Sequence, residues 1–391
     1  MDAVTNPYAM SAGNPPPALT GRDTQLQQWE VLVRRLSASR SDQSMIVSGL
    51  RGVGKTVLLL EFQGVADRAG WVTSDPIEVR SDTNFRAELA DRAFQALTHL
   101  DRRVGLGERA RSFAKLLQGF RVAVGVDGAV EFSFDASAAA ATGDLERDLA
   151  ELFAQLGGVA REHGTGVAFF VDEMQFLKRA ELEAIAAAMH RMSQKRLPIA
   201  LAGTGLPQLP GLVVEAKSYA ERLFSYPRLD RLDPDAAREA LDRPAKEENV
   251  AYEPAALDRI LELSGGYPAF LQAYGREVWN TEPRSPITID DIRAAEPLVQ
   301  KKLDEQFFHV RFEKATPTER RYMSAMAALG DGPHQSGRVA RKMGFRSASG
   351  GSVHRDALIK KGLIYSPEHG VVDFTVPHFA PFMRRRYPFD G

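Results

Sequence analysis

Apolar residues along this chain follow two rhythms. Leu26, Trp29, Leu32, Val33 and Leu36 recur at helical spacing after Gly21-Arg22-Asp23, which predicts an amphipathic helix to about Leu36. Met45–Phe62, MIVSGLRGVGKTVLLLEF, opens as a short apolar strand, passes through a Gly-rich turn and continues as an apolar helix. Ile77–Arg80 reads as a short second strand, and Asn84–Leu100 as a helix with Phe85, Leu89, Ala93, Phe94 and Leu97 on one side. Residues 101–119 continue as polar, mostly helical sequence. Phe120–Phe134 alternates around an Asp127-Gly128 pair, which is a hairpin signal. A small-residue linker, Ala136–Thr142, leads to a helix over Leu145–His163. Val167–Val171 and Pro198–Gly203 are unbroken apolar runs, the pattern of central parallel strands buried on both faces. Between them Leu182, Ile185, Ala186, Met189 and Met192 mark the core face of a helix, and Phe224–Leu229 is a fifth strand.

From Asp233 the period is helical, in four segments: Pro234–Asp242, Ala255–Leu263, Pro268–Thr281 and Ile289–Phe308. Ser264-Gly265-Gly266-Tyr267-Pro268 ends one helix and starts the next, since glycine suits the C-terminal cap and proline the first turn. Beyond residue 311 come a helix from Thr316-Pro317-Thr318-Glu319 to about Leu329, a short helix Ser336–Met343 and a third, Ser352–Lys361. Leu363–Tyr365 and Val371–Val376 then flank a turn. Three helices and a two-stranded wing predict a winged helix-turn-helix. Residues 1–20 are rich in Pro, Gly and Ala and read as an arm. The expected division is therefore an arm (1–20), an α/β core (21–232, with a hairpin inserted near 120–134), a helical unit (233–310) and the winged unit (311–391).

The strand-to-helix turn carries the clearest chemistry. Gly49-Leu50-Arg51-Gly52-Val53-Gly54-Lys55-Thr56 has the spacing of a phosphate-binding loop, with Val57 continuing into the helix. Glycines let backbone N–H groups approach phosphate oxygens, and the helix N-terminus adds partial positive charge. Lys55 would reach the β- and γ-phosphates of ATP, and Thr56 would offer its hydroxyl to Mg²⁺. The run Val167–Val171 ends in Asp172-Glu173, at the strand end where open α/β sheets bind ligands. Asp172 is expected in the Mg²⁺ shell and Glu173 to polarise the attacking water. Thr204, at the end of the next apolar strand, is a candidate γ-phosphate sensor. Arg222, just before the fifth strand, is a candidate to reach the phosphates of a neighbouring subunit.

Composition narrows the partners. Hydrophobic residues make up 44% and charged residues 26% of the 391, as in soluble globular proteins. No apolar run approaches the roughly 18 residues of a spanning helix. The first residues lack a basic and an apolar signal region, and there are no cysteines, so a cytoplasmic protein without a membrane partner is expected. The eight histidines are scattered, which sets a metalloenzyme aside. The net charge of −1 hides an asymmetry: Arg311–Gly391 holds 14 Lys and Arg against 7 Asp and Glu. The balance favours duplex DNA over a protein partner for the last unit. Candidate contacts are Arg346, Ser352, His354 and Arg355 on the third helix and the loop before it, with Arg338, Arg341 and Lys342 beside it and Arg384-Arg385-Arg386 closing the chain.

In this order the motifs resemble the AAA+/STAND ATPases, in particular the archaeal-type ATPases that are similar to origin-recognition initiators. The resemblance covers nearly the whole chain beyond residue 20 and rests on Gly21-Arg22, the Gly49–Thr56 loop, Asp172-Glu173, Gly203-Thr204, Arg222, Gly266-Tyr267-Pro268 and the winged unit. It implies a P-loop core of strand order 5-1-4-3-2, a helical lid over bound ATP, and residues near Pro16–Arg22 and Pro268 bordering the adenine. The usual second-sensor arginine and sensor asparagine are absent, Gly266-Tyr267-Pro268 and Thr204 standing there instead, which favours a slow nucleotide switch; Arg222 aligned with the nucleotide of the next subunit would make it a homo-oligomer.

Overall fold

The computed structural model describes residues 2–9, 13, 15–104, 123–124, 130–131, 145–281 and 284–390. Five strand positions form one parallel sheet. β1 (Ser44–Gly49) lies between β5 (Ile199–Gly205) and a broken edge strand made of β6 (Phe224–Ser225) and β7 (Arg228–Leu229). β4 (Val167–Asp172) pairs with β5 and, on its other side, with β2 (Val72–Thr73) and β3 (Ile77–Glu78). Counting β2 with β3 and β6 with β7, the order is 5-1-4-3-2, as expected. The expected second strand Ile77–Arg80 is corrected to two short pieces, β2 and β3, of which only β3 lies within it. The fifth breaks at Tyr226-Pro227, because proline has no N–H for the ladder, while its carbonyl still accepts from the Ser48 N–H at 3.0 Å.

Every residue of β1, β4 and β5 is buried. Alternation sends Ile46, Phe169, Val171 and Leu201 to one face and Met45, Val47, Phe170 and Ala202 to the other. On the first face pack α3 (Phe85–Val104), α4 (Leu145–Glu162), α5 (Arg179–Lys195) and α6 (Leu209–Ala216). On the second lie α1 (Asp23–Ser37) and α2 (Lys55–Arg68). Trp29 of α1 stacks on Phe62 of α2 at 5.1 Å, and its indole N–H donates to the Phe62 carbonyl at 2.8 Å. The contact fixes α2, and so fixes the Lys55 end of that helix against the sheet. In the expected hairpin, Ala123–Val124 and Val130–Glu131 pair antiparallel; its turn, and the 101–119 and 136–142 segments apart from residues 101–104, lie outside the described residues.

The helices after the sheet are α7 (Pro234–Glu247), α8 (Pro254–Ser264), α9 (Pro268–Thr281) and α10 (Ile289–Lys302). The segment read as one helix to Phe308 changes to a π-helical turn over Leu303–His309, a form that often marks functional positions. Next come α11 (Pro317–Ala327), β8 (His334–Gln335), α12 (Ser336–Lys342), α13 (Ser352–Lys360), β9 (Ile364–Tyr365) and β10 (Val371–Phe374). β10 lies between β8 and β9 in an antiparallel sheet. A final helix, α14 (Phe379–Arg386), has no counterpart in the periodicity reading. Residues of α7–α10 and of the last unit share one apolar core, which also takes in Tyr8 from the arm.

Candidate functional site: a phosphate loop facing two carboxylates

The loop between β1 and α2 is shaped by its glycines. Gly52 and Gly54 hold φ of 81° and 90°, a region that side chains disfavour. Gly49 has no such φ, but a Cβ there would stand 2.6 Å from the Leu229 carbonyl oxygen. Val53 is fully buried and pins the loop to the core under α1. Lys55 and Thr56 open α2, and Val57 follows.

Lys55 is 6% exposed, and its ammonium donates to the carbonyls of Gly49 at 3.0 Å and Leu50 at 2.9 Å. Burial pushes its pKa down to about 8, against the opposing pull of Glu173 and Asp172. Affinity for a nucleotide phosphate is therefore expected to weaken as pH rises through about 8, because the free protein then loses the cation that meets the phosphate. Titration of ATP binding by calorimetry, from neutral to alkaline pH, checks this; a flat profile removes Lys55 as the phosphate cation.

Across the loop, β4 delivers Asp172. Its carboxylate accepts from the Thr56 hydroxyl at 2.6 Å, from the Glu173 N–H at 2.8 Å, and from the Thr204 hydroxyl at the end of β5. The strands thus join three of the residues the sequence singled out. The set is two hydroxyls and a carboxylate, hard oxygen donors of the kind Mg²⁺ accepts. Among the described residues no cluster of three His, Asp or Glu side chains could cage a metal.

Glu173 follows at φ 57°, left-handed for a residue with a side chain. Its two oxygens face the Arg51 guanidinium at 3.3 Å each, and one also accepts from Gln175 at 2.5 Å. Arg51 and Gln175 were not singled out from the sequence. Arg51 occupies a variable position inside the loop motif, and Gln175 lies past the apolar run, so neither carries a signal of its own. Arg311 was missed as well. It lies over the Phe307 ring at 4.0 Å and donates to the Phe307 carbonyl, and burial, helped by the charge of Arg51, pushes its pKa down to about 10. Lys55 and Arg51 thus stand beside two carboxylates, with Arg311 near enough for the charges of Arg51 and Glu173 to act on it.

Two further expected residues frame the loop from outside. Arg22 is buried, and one of its guanidinium nitrogens donates to the carbonyls of Val53 at 3.0 Å and Asp230 at 2.9 Å. It braces loop backbone to the end of the fifth strand. Pro268 begins α9, whose Ala269 N–H donates to the Gly52 carbonyl at 3.1 Å, so the helical unit touches the loop there. Arg222 is exposed and lies apart, two residues before Phe224, which pairs with the first residue of β1. It therefore stands at the N-terminal end of the parallel strands, the end opposite the loop.

The basic residues of the last unit divide. Arg338, Arg341, Lys342 and Arg346 are exposed. Lys342 lies 5.3 Å from the centre of the Phe389 ring. Ser352, His354 and Arg355 are half-buried at the start of α13. Ser352 donates to the Ser349 carbonyl, the His354 ring stacks with Phe345, and Arg355 pairs with Asp356. Arg384 and Arg385 are committed internally, to Asp331 and Asp304.

Residues 18–201 match the family model described as AAA ATPase domain, and residues 305–383 match one described as a domain of unknown function (DUF8462). No curated protein matches the chain. Among solved structures, the Walker-type ATPase of Pyrococcus abyssi superposes with a TM-score of 0.54 at 17% identity, over 94% of this chain and 96% of that one. ORC1 of Aeropyrum pernix in complex with DNA gives 0.45 at 14%, over 94% and 93%. The Thermotoga maritima RuvB Holliday junction branch migration motor gives 0.45 at 14%, over 90% and 92%. At 17% identity the first likeness is one of fold alone. With a glycine-shaped loop, a buried lysine and an Asp-Glu pair at the facing strand end, residues 18–201 carry an AAA ATPase domain on the α/β P-loop fold, and the protein is an ATP-hydrolysing enzyme.

Proposed function

We propose that this protein is a slow ATP-dependent switch that binds duplex DNA through residues 311–391, read as a winged helix-turn-helix. ATP with Mg²⁺ would lie between the sheet unit (21–232) and the helical lid (233–310). Lys55 and the loop N–H groups would hold the phosphates, and Thr56 and Asp172 would hold the metal, which neutralises charge on the β- and γ-phosphates. Glu173 would take the proton of the attacking water as its oxygen meets the γ-phosphorus. Thr204, hydrogen-bonded to Asp172, would report the state of the metal side. Arg222, exposed at the strand end opposite the loop, would serve a neighbouring subunit in a homo-oligomer.

One observation carries the switch reading. The last unit seats on the phosphate loop itself, the Arg51 N–H donating to the Thr375 carbonyl at 2.9 Å. The seat uses Gly362, Thr375 and His378, whose imidazole meets the Ser264 carbonyl at 3.3 Å. None of Arg338, Arg341, Lys342 or Arg346 takes part, so these exposed cations stay available while Gly362 and Thr375 contact the loop. A protein partner in place of DNA would use the same seat; the exposed cations argue for the polyanion.

Fluorescence anisotropy with labelled duplex DNA, with and without ATP and over a salt series, tests this. Binding should be salt-sensitive and differ in affinity between the nucleotide states. Replacing Arg338, Arg341 and Arg346 by Ala should flatten the salt slope by about one unit for each phosphate that is no longer neutralised. Absence of salt-sensitive binding in both states would leave the ATPase and remove the DNA role.

A further inference from the structure

Two carbonyls of the last unit converge on one residue of the phosphate loop. The Thr375 carbonyl takes the Arg51 backbone N–H at 2.9 Å, and the Gly362 carbonyl takes the Arg51 Nε–H at 3.4 Å. The two are joined to each other, because the Thr375 hydroxyl donates to the Gly362 carbonyl at 2.8 Å. They form a two-pronged grip on Arg51. The far end of the same arginine is the fork on Glu173, with both carboxylate oxygens engaged at 3.3 Å. Gln175 adds a third donor to that carboxylate, and its own side-chain oxygen is held by the Leu206 N–H at 3.0 Å. In this pose every oxygen of Glu173 already faces a protein donor, so a water seeking a proton acceptor must compete with a guanidinium.

Gly362 is wedged into the same contact. It holds φ 66°, and a Cβ there would stand 2.9 Å from Arg51 Nη2 and 3.3 Å from Phe176 Cζ, on the turn just beyond Glu173. The chain of the last unit thus reaches the catalytic turn at a point where only glycine leaves the arginine in place.

We propose that Arg51 is a positioning residue for hydrolysis, holding Glu173 in a resting pose while the last unit is seated and releasing it when the seat is vacated. Lifting Thr375 and Gly362 removes both prongs, the Arg51 side chain leaves Glu173, and the carboxylate turns to the attacking water. The proton then passes from that water to Glu173 as its oxygen bonds to the γ-phosphorus and the bond to the leaving ADP oxygen breaks. This inference rests on the assignment of Glu173 as the base.

The test is steady-state ATP turnover by the full-length protein and its Arg51→Ala, Gly362→Ala and Glu173→Gln variants, with Tm recorded for each. Arg51→Ala and Gly362→Ala should each raise kcat about tenfold, the factor given by ~1.4 kcal/mol of released hold. Arg51→Lys, which keeps the charge and loses the fork, should fall between wild type and Arg51→Ala. Gly362 lies 311 residues from Arg51 in the sequence, so a gain shared by both variants is not what a merely structural role would give. Lost stability alone would lower Tm and activity together. A kcat at or below that of wild type in either Ala variant, with Glu173→Gln inactive, overturns the proposal and leaves the base assignment standing. Turnover retained in Glu173→Gln overturns the base assignment itself.

Discussion

Lys55→Ala is expected to lose ATP binding and to lower kcat/KM by roughly 10²–10³-fold or more, the scale of removing one buried charge-stabilising donor from a phosphate or oxyanion site. The ammonium is the one loop cation held by loop carbonyls, those of Gly49 and Leu50. It is positioned before nucleotide arrives, so no reorganisation is left for the moment of reaction. The same burial makes the variant a clean test. With a folded-state pKa of about 8, below the ordinary lysine value of 10.5, the unfolded chain binds more protons between those two values. Stability from this group therefore rises as pH climbs through that window, and at neutral pH the buried charge is a cost to folding. Removing it should not lower Tm. Loss of nucleotide binding measured by calorimetry, with Tm by circular dichroism at or above wild type, assigns the loss to the site. Unchanged hydrolysis would refute the placement of the γ-phosphate beside Lys55.

Glu173→Gln should bind ATP and fail to turn it over, kcat falling about 10²–10⁴-fold, the contribution of a positioned general base. The amide keeps the shape of the carboxylate and can still meet Gln175, but it cannot take a proton from water. Its loss of charge also breaks the fork with Arg51. The variant should therefore accumulate as the ATP complex, and DNA affinity measured with it should match that of wild type with a non-hydrolysable analogue. Rapid-quench measurement of a single turnover separates a slowed chemical step from slowed release. A chemical step within about threefold of wild type would remove Glu173 from the base role.

The phosphate loop was legible because all its parts are contiguous. Turn, cation and hydroxyl lie within Gly49–Thr56, and the flanking apolar strand and helix supply the context that makes the motif specific. Asp172 and Glu173 were legible for a related reason: a strand buried on both faces leaves polar residues only at its end. The strand order was implied by the resemblance alone, while the unbroken apolar runs pointed to buried parallel strands. Element ends were less legible. The segment read as Pro234–Asp242 runs on through Pro244 to Glu247 as α7. Nothing in the period announced the π-helical turn at Leu303–His309, since one extra residue per turn barely disturbs an apolar pattern. Arg384 and Arg385 looked like a basic tail and are instead ion pairs that fasten α14, because charge counts do not say which carboxylates a helix will face.

What the sequence by itself determined is the chemistry that lives within one stretch of chain: a phosphate seat, a strand-end pair of carboxylates, and the strand-and-helix rhythm that holds them. What only the tertiary structure decided is whatever joins distant stretches. Thr204 meets Asp172 because β4 and β5 are neighbours in the sheet. Arg22 braces Val53 and Asp230, and Gly362 and Thr375 reach Arg51, across separations that no periodicity spans. Such contacts are made by carbonyls, glycines and single side chains whose types are common everywhere, so they leave no mark in the pattern. They exist because packing brings the end of the chain onto the loop near its beginning.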